Sequence, residues 1–331
     1  MTPVFVVPAD VDDRAYASGG NTYDRRIAQA AGLPLVRVDG SEDLARALAE
    51  LPDGASAVLD GLVACPAPEV VVPQATRLRL VVLLHLQLAD ETGLAPEVAA
   101  DLDRREHEAL HAVDAVVATS AWARRRAIEH HGLAPDKVRV VEPGVDPAPL
   151  APAGPGNRLL CVGSLTPRKG QDLLAAALTE LAELDWSCTC VGSLHRDPGF
   201  VARLRVPAGM TIAGALSDAE LNARYDTADL LVLPSRGETY GMVITEALAR
   251  GIPVLATAVD ALPDTVGASG LLVAPDDVAA LRDALRAWLT DPELRARLRA
   301  AARSRRDRLS GWDEPSRLLR AVLTGEPTWS R

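Results

Sequence analysis

Short apolar runs alternate with longer segments of helical spacing along the whole chain. Val4–Val7, Leu35–Val38, Ala57–Leu59, Leu78–Leu84, the stretch from Asp114 into Ser120, and Val138–Val141 read as buried strands. Thr22–Ala31, Glu42–Leu51, Glu97–Ala112 and Trp122–His131 read as the helices between them, with Gly32 and Pro52-Asp-Gly54 as stops. Residues 148–156, rich in proline, alanine and glycine, form the clearest linker. A second series then starts: strands at Leu159–Val162, Ser187–Val191, Thr211–Ala213, Asp229–Pro234, Val254–Ala256 and Gly270–Val273. Its helices are Gln171–Leu184, Met242–Arg250, Val278–Leu289, Leu294–Leu309 and Asp313–Leu323. The halves echo each other. Asp114-Ala-Val-Val-Ala-Thr-Ser120 and Asp229-Leu-Leu-Val-Leu-Pro-Ser235 share Asp-x-x-Val-x-x-Ser where a strand passes into a loop. Strand and helix alternating in both halves predicts an α/β protein of two doubly wound, Rossmann-like domains facing a central cleft.

Composition narrows the function classes. A chain of 331 residues suits two domains. The net charge of −10 argues against a general nucleic-acid binder and against a strongly anionic membrane surface. No apolar run approaches the ~18 residues of a membrane span, and the N-terminus enters a strand with no basic leader, so no membrane insertion and a cytoplasmic location are expected. Cys65, Cys161, Cys188 and Cys190 are scattered, without the two-residue gap usual at zinc, and read as buried thiols in a reducing compartment. Only Lys137 and Lys169 are lysines among 35 basic residues. A lysine kept against that bias marks Lys169 as a place where a compact ammonium is needed.

The chemistry concentrates at Ser235–Glu246. A buried strand ends at Pro234, and a helix begins near Met242. Gly241 lets backbone come close to a ligand. The first amides of the helix, with its dipole, form an anion site. Glu238 and Glu246 flank that site, and carboxylates repel phosphate, so they serve hydroxyls. An anion between two sets of hydroxyls describes a nucleotide sugar. Elsewhere Gly19-Gly20 precedes a helix without the third glycine of the dinucleotide fingerprint. His85 sits just past the carboxyl end of a buried strand, where open sheets bind ligands. Arg168 and Lys169 lie in the loop after the first strand of the second half.

The spacing Glu238-x7-Glu246, with Tyr240-Gly241 between, resembles the donor motif of the retaining glycosyltransferases of family 4, of GT-B fold. Gly163-Ser-Leu-Thr-Pro-Arg-Lys-Gly170 resembles the family's Gly-Arg-Leu-x-x-x-Lys-Gly segment, with Ser164 where the family often has Arg. Ser18–Asn21, His85, Ser120 and Pro143–Asp146 fall in the family's order, so the resemblance covers nearly the whole chain. It implies an acceptor-side domain over 1–150, a donor domain over 151–312, and a terminal helix at about 313–331 packed back on the first. Glu246 then binds the ribose and Glu238 the sugar ring. The backbone of Thr239, Tyr240, Gly241, Met242 and Val243 holds phosphates or sugar. Lys169 and Arg168, with Ser164 beside them, meet the diphosphate; Gly19 and Gly20 lie against it; His85 acts near the anomeric centre. Asn21 and Tyr23 are the candidate acceptor contacts. Residues 192–194 and 212–216 hold the base through backbone.

The implied reaction is metal-independent, cofactor-free transfer, with retention, of a hexose-type sugar from a UDP- or GDP-sugar to a hydroxyl, with the departing phosphate as base. Two cations and a helix terminus stabilise such a leaving group without a metal. The expected partners are the nucleotide sugar and a small acceptor, because the first half offers few aromatics to stack on an oligosaccharide. The oligomeric state is open. The rival readings are a nucleotide-sugar 2-epimerase of the same architecture, which makes no glycoside, and a non-catalytic nucleotide-sugar sensor, which binds without turnover.

Overall fold

The computed structural model describes residues 2–326. The chain forms two compact units. One holds the residues up to Asp12, Gly20–Gly144 and those from Gly311 on; the other holds Asp13–Gly19 and Val145–Ser310.

The first unit is built on six strands: β1 (Val4–Pro8), β2 (Leu35–Val38), β3 (Ser56–Asp60), β4 (Arg79–Leu84), β5 (Ala115–Ala118) and β6 (Val138–Val140). They run in the order β2-β1-β3-β4-β5-β6, all parallel. Val58, Leu80, Val82 and Val116 are fully buried, as a sheet covered on both faces requires. Two helices at Gly61–Ala64 and Pro68–Gln74 were not expected from the pattern. Proline at the first helical position donates no needed hydrogen bond, so Pro68 starts a helix where a proline is easily read as a break. The last helix, Asp313–Thr324, packs on β3 and β4. The rest of the expected 313–331 element, from residue 327 on, lies outside the described residues.

The second unit carries β7 (Arg158–Val162), β8 (Ser187–Val191), β9 (Met210–Gly214), β10 (Leu230–Leu233), β11 (Val254–Thr257) and β12 (Gly270–Val273). The order is β12-β11-β10-β7-β8-β9, again all parallel. The chain order reverses between β7 and β10, so the loops after these two strands open the crevice where such sheets bind ligands.

The sequence echo has a structural cause. Asp114 precedes β5 and accepts the Leu80 amide at 2.9 Å. Asp229 precedes β10 and accepts the Gly156 and Arg158 amides, each at 3.1 Å. Each aspartate pins the start of the neighbouring strand. Residues 148–156, expected as a linker, are tied into the second unit. The Ala151 amide donates to Arg250 O at 2.9 Å, and Arg299 donates to Gly154 O at 2.9 Å. The chain passes between the units at 12/13, 19/20, 144/145 and 310/311, none of them within that stretch.

Candidate active site

In the second unit the loops after β7 and β10 bring Arg168, Lys169 and Glu238 together. Lys169 donates to the Glu238 carboxylate, and both side chains are largely buried. Arg168 donates to Gly237 O at 3.2 Å, and its own carbonyl accepts the Arg236 amide at 2.7 Å. The Glu238 amide donates to Asp260 at 2.8 Å, which fixes the loop from the other side. Burial alone would raise the Glu238 carboxyl. Lys169 and Arg168 outweigh it and hold the group below the usual carboxylate range. The site therefore keeps a buried carboxylate charged beside two cations.

Helix Met242–Ala249 follows from Gly241, which has a φ of 84° and no side-chain cap to occupy the helix start. Thr239, Tyr240, Met242 and Val243 are partly buried around that start, and Thr265 donates to Tyr240 O at 2.7 Å. One turn on, Glu246 accepts the Tyr225 hydroxyl at 2.7 Å. Burial and the neighbouring Glu246 push the Tyr225 phenol well up, so it remains a donor. The Arg250 guanidinium lies 4.7 Å from the centre of the same ring. Glu246 is thus aimed by a protonated tyrosine.

Ser164 corrects an expectation. Its hydroxyl donates to Ala17 O at 3.1 Å rather than being presented to a phosphate. Ser193 donates likewise to Ala15 O, and Arg196 to Tyr16 O at 2.7 Å. These bonds attach Asp13–Gly19 to the loops after β7 and β8, which is why that stretch belongs to the second unit.

In the first unit the helix Gly19–Ala31 starts at Gly19 itself, earlier than the expected Thr22. A Cβ on Gly20 would sit 3.3 Å from the His85 ring, so the glycine keeps the helix start against the histidine. His85 Nε2 lies 2.7 Å from Asp24 Oδ1 and 3.8 Å from Asp60 Oδ2. Burial lowers the His85 pKa, only partly offset by Asp60, so the imidazole is neutral near pH 7. Burial raises Asp24 to about 7 and Asp60 well above the usual range, the latter helped by Asp24. Asp24 Oδ2 meets no donor of the protein. The protonated Asp60 carboxyl hydrogen-bonds to Asp24, as expected when like charges share a buried site.

Tyr23 is also corrected. It is 1% exposed, its hydroxyl donates to Val141 O at 2.9 Å, and its ring stands edge-on to His85 and Trp312 at 5.4 and 5.6 Å. It braces His85 and has no surface to offer an acceptor. Asn21 is buried as well and donates to Asp10 O at 3.5 Å.

Asp24, Asp60, Asp260 and Tyr225 are the site residues that sequence reasoning missed. One signal was available for Tyr225. Ser217-x-x-Glu220 is a capping box that starts helix Asp218–Thr227, which carries Tyr225.

The raised Asp24 carboxyl gives a testable pH dependence. The Asp24 pKa is raised on folding, so the stability it lends is full below about pH 4 and is lost as pH rises through about 7. Asp24→Asn copies the protonated form. Its melting temperature is expected to gain on wild type by several degrees between pH 4.5 and 8, followed by circular dichroism. Parallel curves over that range would show that Asp24 is ionised throughout.

Comparison with known proteins fits this layout. Two Rossmann-like domains in one chain define the GT-B class. Sucrose-phosphate synthase from Thermosynechococcus elongatus superposes with a TM-score of 0.79 at 20% identity, over 98% of this chain and 100% of that one. HepE from Anabaena, in complex with UDP and glucose, gives 0.74 at 18%, over 98% and 99%. Residues 54–149 match the family described as Glycosyltransferase Family 4, and residues 156–291 that described as Glycosyl transferases group 1. The two halves of the chain thus carry glycosyltransferase domains of these two descriptions. D-inositol 3-phosphate glycosyltransferase 1 of Catenulispora acidiphila is 34% identical over 268 residues, 71% of this chain and 62% of that protein. The D-inositol 3-phosphate glycosyltransferase of Kineococcus radiotolerans is 34% identical over 258 residues, 66% and 59%. The chain spans about three fifths of the length of these relatives.

Proposed function

We propose that this protein is a retaining glycosyltransferase that moves a hexose-type sugar from a UDP- or GDP-sugar to the hydroxyl of a small acceptor, without a metal. The observation that carries the reading is the buried Lys169–Glu238 pair with Arg168 beside it, on the loops of the β7/β10 switch point. On binding, a donor diphosphate draws Lys169 and Arg168 to itself as it leaves. Glu238, released from its partner, accepts hydroxyls of the sugar. Glu246, aimed by Tyr225, takes the ribose. His85 acts on the sugar near the anomeric carbon, as the family resemblance implies. The departing phosphate takes the acceptor proton. UDP is the first base to test, because HepE is described with UDP and glucose. Inositol 3-phosphate is the first acceptor, because the relatives are named for it.

The test is a thermal-shift panel of UDP, GDP, ADP, dTDP and NAD on wild type and Glu246→Ala. Ligand at 100 times its dissociation constant adds about 2.7 kcal/mol, roughly 5–10 °C for domains of this size. One nucleoside diphosphate is expected to give that shift, and Glu246→Ala to lose it. A shift with NAD alone, or with none, overturns the donor assignment. With the matching sugar nucleotide, a glycoside product separates transfer from epimerisation, and binding without any turnover supports a sensor.

A further inference from the structure

Four of the six histidines stand in one cluster that involves none of the residues above. Asp103, His107 and His111 follow one another at four-residue spacing along helix Pro96–Ala112 of the first unit, so they share one face. His130 and His131 end helix Ala121–His131. The rings converge: His107 to His111 is 4.2 Å between centroids, His130 to His131 4.7 Å, and His107 to His131 6.0 Å. His130 Nε2 lies 2.5 Å from Asp103 Oδ1. One ligand atom from each of Asp103, His130 and His131 lies within 4.8 Å of the others.

We propose that Asp103, His130 and His131 bind a borderline divalent transition-metal ion such as Zn2+. Imidazoles with one carboxylate suit zinc, cobalt or nickel and do not suit magnesium or calcium, which take oxygen ligands. The cluster has the outer support such a site needs. His131 Nε2 is 2.8 Å from Glu106 Oε1, both side chains are about 1% exposed, and Glu106 Oε2 accepts the Leu88 amide at 2.9 Å. A buried carboxylate that is itself held fixes the ring orientation of a ligating histidine. A bound ion would clamp the two helices together at this end. It shares no residue with the donor site, and the proposal does not depend on the transfer reaction.

The test is calorimetric titration of the chelator-treated protein with Zn2+, with Co2+ absorption as a report of coordination. Wild type is expected to bind one ion and to melt several degrees higher with it. His130→Ala and Asp103→Asn replace side chains that are 30% and 38% exposed, so both fold. Each is expected to lose at least about tenfold in affinity. His195→Ala, the histidine of the second unit, is expected to bind as wild type does. Three results overturn the site: no heat or thermal shift up to about 1 mM Zn2+, where even weak binding would register; affinity unchanged in His130→Ala and Asp103→Asn; or Mg2+ competing on equal terms. The first would leave two ordinary histidine–carboxylate pairs. The second would place the ion at another group, such as Asp24, Asp60 and His85.

Discussion

Lys169→Met is expected to lower kcat/KM for the proposed sugar transfer by about 10^2–10^3, or about 3–4 kcal/mol, the usual cost of losing one group that meets developing charge in a transition state. A second effect comes with it. Glu238 is buried and ionised because Lys169 and Arg168 outweigh its desolvation. Removing Lys169 leaves that carboxylate underpaired, which typically costs about 3–5 kcal/mol for a buried pair broken on one side. The sign with pH follows. In wild type the Glu238 pKa is lowered, so its contribution to stability is present above the ordinary glutamate pKa and is lost as pH falls. In Lys169→Met burial prevails and the pKa rises, so the variant suffers most near neutral pH, and its deficit shrinks towards pH 4. The double variant Lys169→Met/Glu238→Gln should recover most of the melting temperature and none of the activity. Denaturation curves and initial rates on the three proteins separate the effects. A single variant with wild-type kcat/KM would remove Lys169 from the reaction, whatever its stability.

The pair was legible as two separate residues in two motifs, but their contact was not. Lys169 and Glu238 are 69 positions apart, and only the β7–β10 pairing sets their loops side by side. The strands were legible because buried parallel strands are continuous apolar runs, and their ends are close to those expected. Helices opening on proline were harder. Pro68 and Pro198 begin helices where proline also signals a break, and both elements were missed. Asp24 was hidden for a different reason. It lies within a helix beside Arg25 and Arg26, and its partner His85 is 61 positions away. No local pattern marks a carboxylate that is to be buried. Tyr23 shows the opposite error. A polar aromatic beside a glycine loop invites a ligand role, but its hydroxyl is spent on Val141 and its ring on His85. In the 148–156 stretch, composition predicts the absence of helix and strand correctly, yet Asp229 and Arg299 fasten it. Chain composition reports backbone propensity, not what a distant side chain will hold.

Gly170→Ala is expected to cost about 3–5 kcal/mol, combining the penalty for a left-handed alanine with a clash that backbone must absorb. Gly170 has a φ of 71°, and a Cβ there would come 2.0 Å from Pro234 O. Neither partner is the flexible end of a side chain. The loop of Pro167–Lys169 must therefore move away from the loop after β10, and Lys169 moves with it. Gly132→Ala isolates the conformational part. Its φ is 65° and ψ 30°, against 71° and 22° at Gly170, but nothing lies within 4 Å of the added Cβ. That variant should lose only about 1–2 kcal/mol. At about 2–4 °C per kcal/mol for units of this size, the two melting temperatures should differ by several degrees. Nucleotide binding should fail only in Gly170→Ala, even at temperatures where it is folded. Equal losses in both variants would mean that the loop yields without strain, and that the close approach of Gly170 to Pro234 does not hold Lys169 against Glu238.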